Sequence, residues 1–185
     1  MDLGTGTAGA RAPGDRTVLT RAADAVREVY DAAAASVAVV ADDGEVLLYR
    51  AAAGEGADAI VGTSLPVGRG LAGWVAMSGQ PLFVHDVRSD PRFARDVAEA
   101  TRYVPEAMLL APFHDADGEV AGVVSVLDPA GVTSPESAVA GIGTLAALVG
   151  LVAEAGGGGA AGEPQVARLA DYGRRVLSLA AELDL

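Results

Sequence analysis

Cysteine, lysine and histidine perform much of the chemistry that proteins carry out, and this chain is poor in all three. Its 185 residues include no cysteine and no lysine, so its 13 basic residues are all arginine. The lack of cysteine excludes disulfides, thiolate zinc sites, iron–sulfur clusters and cysteine nucleophiles. The lack of lysine excludes Walker-type phosphate loops, Schiff bases and serine–lysine dyads. No catalytic arrangement of serine, histidine and acid is legible either, so we expect no enzyme.

The two histidines, His85 and His114, do not have the spacing of metal ligands. His114 adjoins a predicted turn and is expected at the surface. His85 and Asp86 follow a short apolar strand and are candidate contacts at a binding site. The alternatives are a structural role for His85 and a turn cap for Asp86.

Two short patterns resemble ligand motifs, but their context does not fit. Gly68–Gly73 reads G-x-G-x-x-G, yet the segment before it contains Pro66 and the helix after it stops at Gly79, which is too short for a nucleotide-binding crossover. Close packing of a short helix is the favoured role of these glycines. Asp115–Glu119 faintly resembles a calcium loop, but strands flank it, so it is predicted to be a β-turn.

Charge narrows the possible partners. The net charge of −12 argues against nucleic acid, since nucleic-acid binders gain most of their affinity from basic residues on phosphates. No apolar run is expected to be long enough to span a bilayer, and the N-terminus does not resemble a signal peptide. We therefore expect a cytoplasmic protein that binds neither nucleic acid nor membrane.

The periodicity of apolar residues predicts helices at both ends of a domain and two β-hairpins between them. Residues 15–155 form this domain, preceded by an arm (1–14) and followed by a Gly-rich linker (156–163) and an amphipathic helix (164–185). The first part is predicted to contain a helix over Thr17–Ala35 and strands over Ser36–Ala41, Glu45–Ala53 and Ser64–Val67. The middle is predicted to contain a helix over Gly70–Ser78, a strand over Leu82–Val84 and a weak helix within Asp90–Thr101. The last part is predicted to contain strands over Ala107–His114 and Glu119–Leu127 and a helix over Pro135–Ala155, which Ser134 caps. This order is typical of an α+β fold, with an antiparallel sheet and the terminal helices on one face.

The final segment carries an apolar seam of residues alternately three and four apart, typical of a coiled coil. Its members are Val166, Leu169, Gly173, Val176, Ala180 and Leu183, with Leu177 and Leu179 beside them. The helix could pair with a second copy or fold back on its own domain. We expect a parallel homodimer.

The middle of the chain resembles the GAF domain, a sensory module of phosphodiesterases, phytochromes and bacterial regulators. The resemblance rests on many spaced features in order: Gly70-Leu71-Ala72-Gly73-Trp74-Val75, Val84-His85-Asp86-Val87, Asp90-Pro91-Arg92-Phe93, Thr101-x-Tyr103, Leu109-x-Ala111-Pro112 and Asp117-Gly118-Glu119-Val120-Ala121-Gly122-Val123. It implies the same α+β fold, with the irregular middle as a lid over a pocket. Bilin attachment and methionine-sulfoxide reduction in this family use cysteine, so neither is expected here.

Asp90–Pro105 is similar to the segment that lines the nucleotide in the GAF domains of phosphodiesterases. The resemblance implies ligand contacts from Phe93, Val97, Ala98, Thr101 and Pro105. The side chains of Phe93 and Tyr103 could stack on a ring, and Thr101 could donate a hydrogen bond. Trp74, His85, Asp86 and Met108 complete the candidate set, with Trp74 alternatively a core anchor. The family's Asn-Lys, Phe, Asp-Glu motif is replaced here by Asp128-Pro129, Val132 and Glu136-Ser137.

The resemblance therefore implies a bacterial-type regulatory protein that senses a small molecule and signals through a protein partner or its own dimerisation. No cofactor is expected, with haem and cyclic nucleotide as alternatives. A degenerate scaffold or dimerisation module with no ligand is the alternative function.

Overall fold

The computed structural model describes residues 13–41, 43–130, 132 and 134–155, together with residues 171 and 175. The elements in chain order are α1 (Pro13–Val29), β1 (Ala32–Val40), β2 (Val46–Gly54), α2 (Ala57–Ile60), β3 (Ser64–Pro66), α3 (Gly70–Ser78), β4 (Leu82–Val84), α4 (Arg95–Ala100), β5 (Met108–His114), β6 (Val120–Pro129) and α5 (Pro135–Ala155). The predicted linker, the C-terminal helix apart from residues 171 and 175, the whole of its seam and most of the N-terminal arm lie outside the described residues.

Six strands form one antiparallel sheet in the order β3-β2-β1-β6-β5-β4. The central strand pair joins the first hairpin to the second, and Val37 of β1 faces Ala51 of β2 on one side and Val124 of β6 on the other. Since side chains alternate between the two faces of a strand, this register fixes which residues each face buries. The predicted α+β fold is confirmed.

The two faces of the sheet are covered by different elements. On one face α1 and α5 pack over a core that includes Tyr30, Phe113, Ile142 and Leu145. The Tyr30 hydroxyl donates to the backbone oxygen of Ala138 at 3.1 Å and so links the two helices. The short elements from α2 to α4 cover the opposite face, as the resemblance implied.

The predicted first helix, Thr17–Ala35, extends too far. The helix ends at Val29, Asp31 adopts a positive φ of 46°, and β1 begins at Ala32. Alanine favours helix, but Ala32–Ala35 lie between two strands whose backbone groups need partners. Ala34 pairs with Gly54 of β2 and with Leu127 of β6. Sheet pairing therefore overrides local propensity here.

Helix α5 begins as predicted, because the amide of Ser137 donates to the Ser134 hydroxyl at 3.4 Å. Contrary to our expectation that no apolar run could span a bilayer, Pro135–Glu154 is long and apolar enough to do so by length and composition. Half of this window is buried inside the protein, and Ile142, Leu145 and Val149 belong to the core. Core helices of soluble proteins have the same composition.

Candidate functional site

A cavity of about 90 Å³ lies between the sheet and residues 90–106, which we call the lid. Strands β1, β2 and β6 supply its floor, the first turn of α3 forms one wall, and α4 and the segment after it close the top. The lining residues are Ser36, Tyr49, Ile60, Leu65, Gly70, Leu71, Ala72, Phe93, Ala94, Val97, Ala98, Thr101, Tyr103, Pro105, Met108, Ser125 and Leu127. The walls are mostly apolar, with hydroxyl groups as the polar side chains.

Most of the sequence-predicted contact residues come together here. Those that line the cavity are Phe93, Val97, Ala98, Thr101, Tyr103, Pro105 and Met108. Trp74, His85 and Asp86 are not among its lining residues. The resemblance thus located the lid correctly, while the three candidates from the segment before it lie elsewhere.

Trp74 is not a lining residue of the cavity and packs against the core instead. It is partly buried against the core on the lid side of the sheet, and the Arg92 guanidinium lies over its ring at 4.7 Å from the centroid. Arg92 also forms a bidentate pair with the Asp90 carboxylate. Its Nε donates to Oδ1 at 3.0 Å, and a terminal nitrogen donates to Oδ2 at 2.6 Å. These contacts anchor the start of the lid to α3, in line with the anchor role of Trp74.

His85 and Asp86 are exposed and serve the turn that follows β4. The His85 ring lies against Phe83, with centroids 4.2 Å apart. The Asp86 carboxylate accepts a hydrogen bond from the Ser89 hydroxyl at 2.6 Å, which is the turn-capping alternative. Neither side chain lines the cavity.

The glycines of Gly68–Gly73 have a packing role, as expected. A Cβ on Gly73 would lie 2.6 Å from the backbone oxygen of Pro66, so only glycine allows α3 to approach β3 this closely. This approach brings Gly70, Leu71 and Ala72, the first turn of α3, to the cavity wall. Helix amides in a first turn lack intrahelical partners and favour electron-rich groups nearby.

Two further contacts hold the lid down. Arg69, just before α3, donates to Asp96 of α4 at 2.6 Å, and this pair lowers the pKa of the Asp96 carboxyl. At the other end, the Tyr103 hydroxyl donates to Asp128 at the end of β6. Burial, together with this bond to a carboxylate, raises the pKa of Tyr103 above its usual value. The lid is thus tethered at its start, on α4 and at its end.

Asp128 is the anchor of the last tether. Its other carboxylate oxygen accepts the amides of Glu106 and Ala107, each at 2.8 Å, and its φ of 52° turns the chain at the strand end. This is the position where the sequence departs from the Asn-Lys motif. At this position the Asp128 carboxylate joins the end of β6 to the lid through its hydrogen bonds with Tyr103 and Glu106.

A family model for the GAF domain matches residues 15–154. The chain belongs to the GAF domain family. This is a family of regulatory domains that sense small molecules. Among curated proteins, the dual 3',5'-cyclic-AMP and -GMP phosphodiesterase 11 of Drosophila melanogaster is 39% identical over 61 residues, which is 33% of this chain. Those residues are 4% of the phosphodiesterase, so the chain spans a small part of that relative's length.

Solved GAF structures share the fold at low identity. The GAF domain of a phosphoenolpyruvate-protein phosphotransferase from Coxiella burnetii has a TM-score of 0.64 and 23% identity, over 78% of this chain and 85% of that one. A free methionine-R-sulfoxide reductase from Neisseria meningitidis, in complex with its substrate, has a TM-score of 0.62 and 20% identity, over 77% and 79%. Identities this low support the fold alone.

The floor of this GAF domain is what the sequence reasoning missed. Ser36 and Ser125 are buried, and Tyr49 lies beside them, on β1, β6 and β2 respectively. Burial raises the pKa of Tyr49 to about 12, so its hydroxyl is neutral at physiological pH. A signal was present, since each serine interrupts an otherwise apolar run, Ala-Ser-Val and Val-Ser-Val, at the centre of a strand.

The remaining candidates have structural explanations. In the Asp115–Glu119 turn the amide of Gly118 donates to the backbone oxygen of Asp115 at 3.1 Å, which is the bond of a β-turn. The Asp115 carboxylate also accepts the amides of Asp117 and Glu119, each at 3.0 Å. His114 is exposed, as expected. Over the described part of the GAF domain, no group of three or more histidine and acidic side chains is arranged to hold a metal ion.

Proposed function

We propose that this chain is a non-catalytic sensor that binds a small molecule in the cavity under the lid. Occupancy of the cavity is then passed to a protein partner or to the chain's own dimer, in the cytoplasm of a bacterial cell. The observation that carries the proposal is the cavity itself. The segment that resembles the ligand-lining segment of phosphodiesterase GAF domains forms its lid, and Phe93, Val97 and Thr101 line it.

The composition of the chain supports a non-catalytic role. One solved structure of similar fold is a free methionine-R-sulfoxide reductase, and reduction of a sulfoxide by protein thiols requires cysteine. This chain contains none. The hydroxyls at the cavity lack an adjacent histidine or lysine that could activate them as nucleophiles, as judged over the described residues.

A route from the cavity to the far side of the sheet supports signalling. The floor residues Ser36 and Ser125 belong to β1 and β6, whose opposite faces carry Val37, Val124 and Val126 against α1 and α5. A ligand that moves the floor or the lid would therefore change how the two terminal helices pack against the sheet. Those helices are the elements through which we propose that copies or partners associate.

A scaffold without ligand is the second candidate, and the size of the cavity favours it. Sites for drug-sized ligands occupy about 300–1,000 Å³. The cavity here is about 90 Å³, so a cyclic nucleotide would enter only if the lid opened. A molecule of a few heavy atoms fits without that movement.

Hydrogen exchange tests the proposal against the scaffold. The protein would be incubated with the small-molecule fraction of its host's extract, and amide exchange would be compared with and without that fraction. We expect residues 93–105 to be protected first, because a ligand under the lid adds contacts that resist its opening. Protection limited to the terminal helices, or none, would contradict the sensor and favour the scaffold.

A further inference from the structure

Three hydroxyl groups on the cavity floor have no protein partner within the described part of the chain. They belong to Tyr49, Ser36 and Ser125, on the neighbouring strands β2, β1 and β6. Their residues are 8%, 7% and 3% exposed, respectively. Ser36 faces Ser125 directly in the register, and Tyr49 pairs with Ala38, two residues further along β1. We call these three residues the hydroxyl row.

The hydroxyls of the lid are used differently. Thr101 donates to the backbone oxygen of Ala98 at 2.8 Å, and Tyr103 donates to Asp128. The lid hydroxyls therefore hold the lid, while the hydroxyl row offers its donors and acceptors to the cavity. Buried polar groups in folded proteins are nearly always hydrogen-bonded. Because the hydroxyl row has no protein partner among the described residues, we expect its partner to be a molecule bound in the cavity.

The charges around the cavity decide what kind of molecule this partner is. Its described lining contains no Asp, Glu, His or Arg side chain. Arg69 and Arg92, which are next in the chain to the lining residues Gly70 and Phe93, are each paired with a carboxylate. A full charge in this cavity would lose its hydration without meeting a counter-ion, which is far more costly than burying a neutral polar group that is hydrogen-bonded. The first turn of α3 offers only a partial positive charge.

We propose that the cavity binds a small uncharged molecule with an apolar body and one hydrogen-bonding edge. The edge meets the hydroxyl row, and the body lies against Leu65, Leu71 and Phe93. Serine and tyrosine hydroxyls both donate and accept, so they suit an edge that presents a donor beside an acceptor, as an amide does. This inference rests on the proposed sensor function and adds the chemical class of its ligand.

Three probes of nearly equal shape test the charge class: benzamide (neutral), benzoate (anionic) and benzamidinium (cationic). Each is larger than the closed cavity, so each must displace the lid by the same amount, and the comparison among them isolates the effect of charge. The full chain is labelled with ¹³C at its methionine methyl groups, which number three. Met108 lines the cavity, and Met77 is 61% exposed and serves as the internal control. We expect benzamide to shift the Met108 signal saturably and to bind at least about tenfold more tightly than either charged probe. The Met77 signal should not move.

A variant series tests the contact with the hydroxyl row. The Ser36→Ala/Ser125→Ala protein should bind benzamide about tenfold more weakly, while the exposed Ser89→Ala control should bind it as the parent does. A cooperative thermal unfolding transition of the free variant shows that it is folded, and the comparison of probes on the parent chain needs no variant.

Each contrary outcome overturns a defined part of the inference. Benzoate or benzamidinium binding as tightly as benzamide would overturn the charge class and leave the sensor proposal intact. Equal benzamide binding by the double variant would overturn the role of the hydroxyl row. If no probe shifts Met108 at millimolar concentration, the inference fails as a whole. Failure of the sensor proposal has a different signature, which is the absence of lid protection by host extract.

Discussion

Ser36 and Ser125 are direct cross-strand neighbours on β1 and β6, and both are buried in the floor of the cavity under the lid. Neither hydroxyl has a protein partner among the described residues, although their neighbours Val37, Val124 and Val126 form the apolar core on the other face. A sheet selected for stability alone would place apolar side chains at both positions. The pair therefore indicates a function that the fold supports at some cost in stability.

Replacing either serine by alanine should stabilise the protein. A buried hydroxyl without a partner costs about 1–3 kcal/mol, and alanine removes that cost. We expect Ser36→Ala and Ser125→Ala each to raise the free energy of unfolding by about 1 kcal/mol and the Tm by about 2–4 °C. The exposed Ser64→Ala control should stay within about 0.5 kcal/mol of the parent. Differential scanning calorimetry measures the Tm of each variant. A marked fall in Tm for both serine variants would mean that the fold needs these hydroxyls.

Removing the Tyr103 hydroxyl should loosen the end of the lid. Tyr103→Phe loses the bond to Asp128, which is worth about 1 kcal/mol for a partly exposed group. Hydrogen exchange should speed up at residues 101–107. Tyr30→Phe is the matched control, because it loses the bond to Ala138 on the opposite face. Its exchange should speed up in α1 and α5 instead, and faster lid exchange in both variants would show that the tether is not specific.

Acid should release the start of the lid before the fold unfolds. The hydrogen bonds from Arg92 hold the pKa of the Asp90 carboxyl below its ordinary value of 3.8. A lowered folded pKa means that the contact is complete above the ordinary value and is lost as pH falls through the folded pKa. Arg92 then leaves the ring of Trp74, the single tryptophan, and its fluorescence should change.

Asp90→Asn supplies the control for this titration, because it removes the titrating group and keeps the size of the side chain. The acid step in the fluorescence of Trp74 should be absent in this variant. A step that persists in Asp90→Asn, or a midpoint above 3.8 in the parent, would contradict the assignment.

The elements of this fold with strong local signals were predictable, and those set by pairing across the sheet were less so. Helix α3 has the predicted bounds because Gly79 ends it in a left-handed conformation, φ 65°. Ala32–Ala35 were misassigned because alanine gives no strand signal and only their two partner strands determine their state. Phe93 and Thr101, which line the cavity, were predicted as ligand contacts through the resemblance. Ser36 and Ser125 were missed, because their meaning depends on the register that places them opposite each other.

The homodimer that the sequence predicts can be tested by light scattering. Leu169→Glu with Val176→Glu places charges in the predicted seam and should weaken the dimer at tens-of-micromolar concentration, because burying unpaired carboxylates is unfavourable. Leu151→Glu, at a side chain 62% exposed on α5, tests the alternative interface on the core domain. A monomer mass for the parent chain would contradict the dimer, and dimer loss in Leu151→Glu alone would move the interface to α5.

Native mass spectrometry of the chain purified from its own host tests most directly whether the cavity under the lid holds a ligand. Ala98→Phe would fill the cavity from α4, and Ala100→Phe places the same ring on the exposed side of that helix. We predict that the parent and Ala100→Phe carry the same small added mass and that Ala98→Phe carries none. Parent protein with no added mass, or Ala98→Phe that retains it, would contradict a ligand in this cavity.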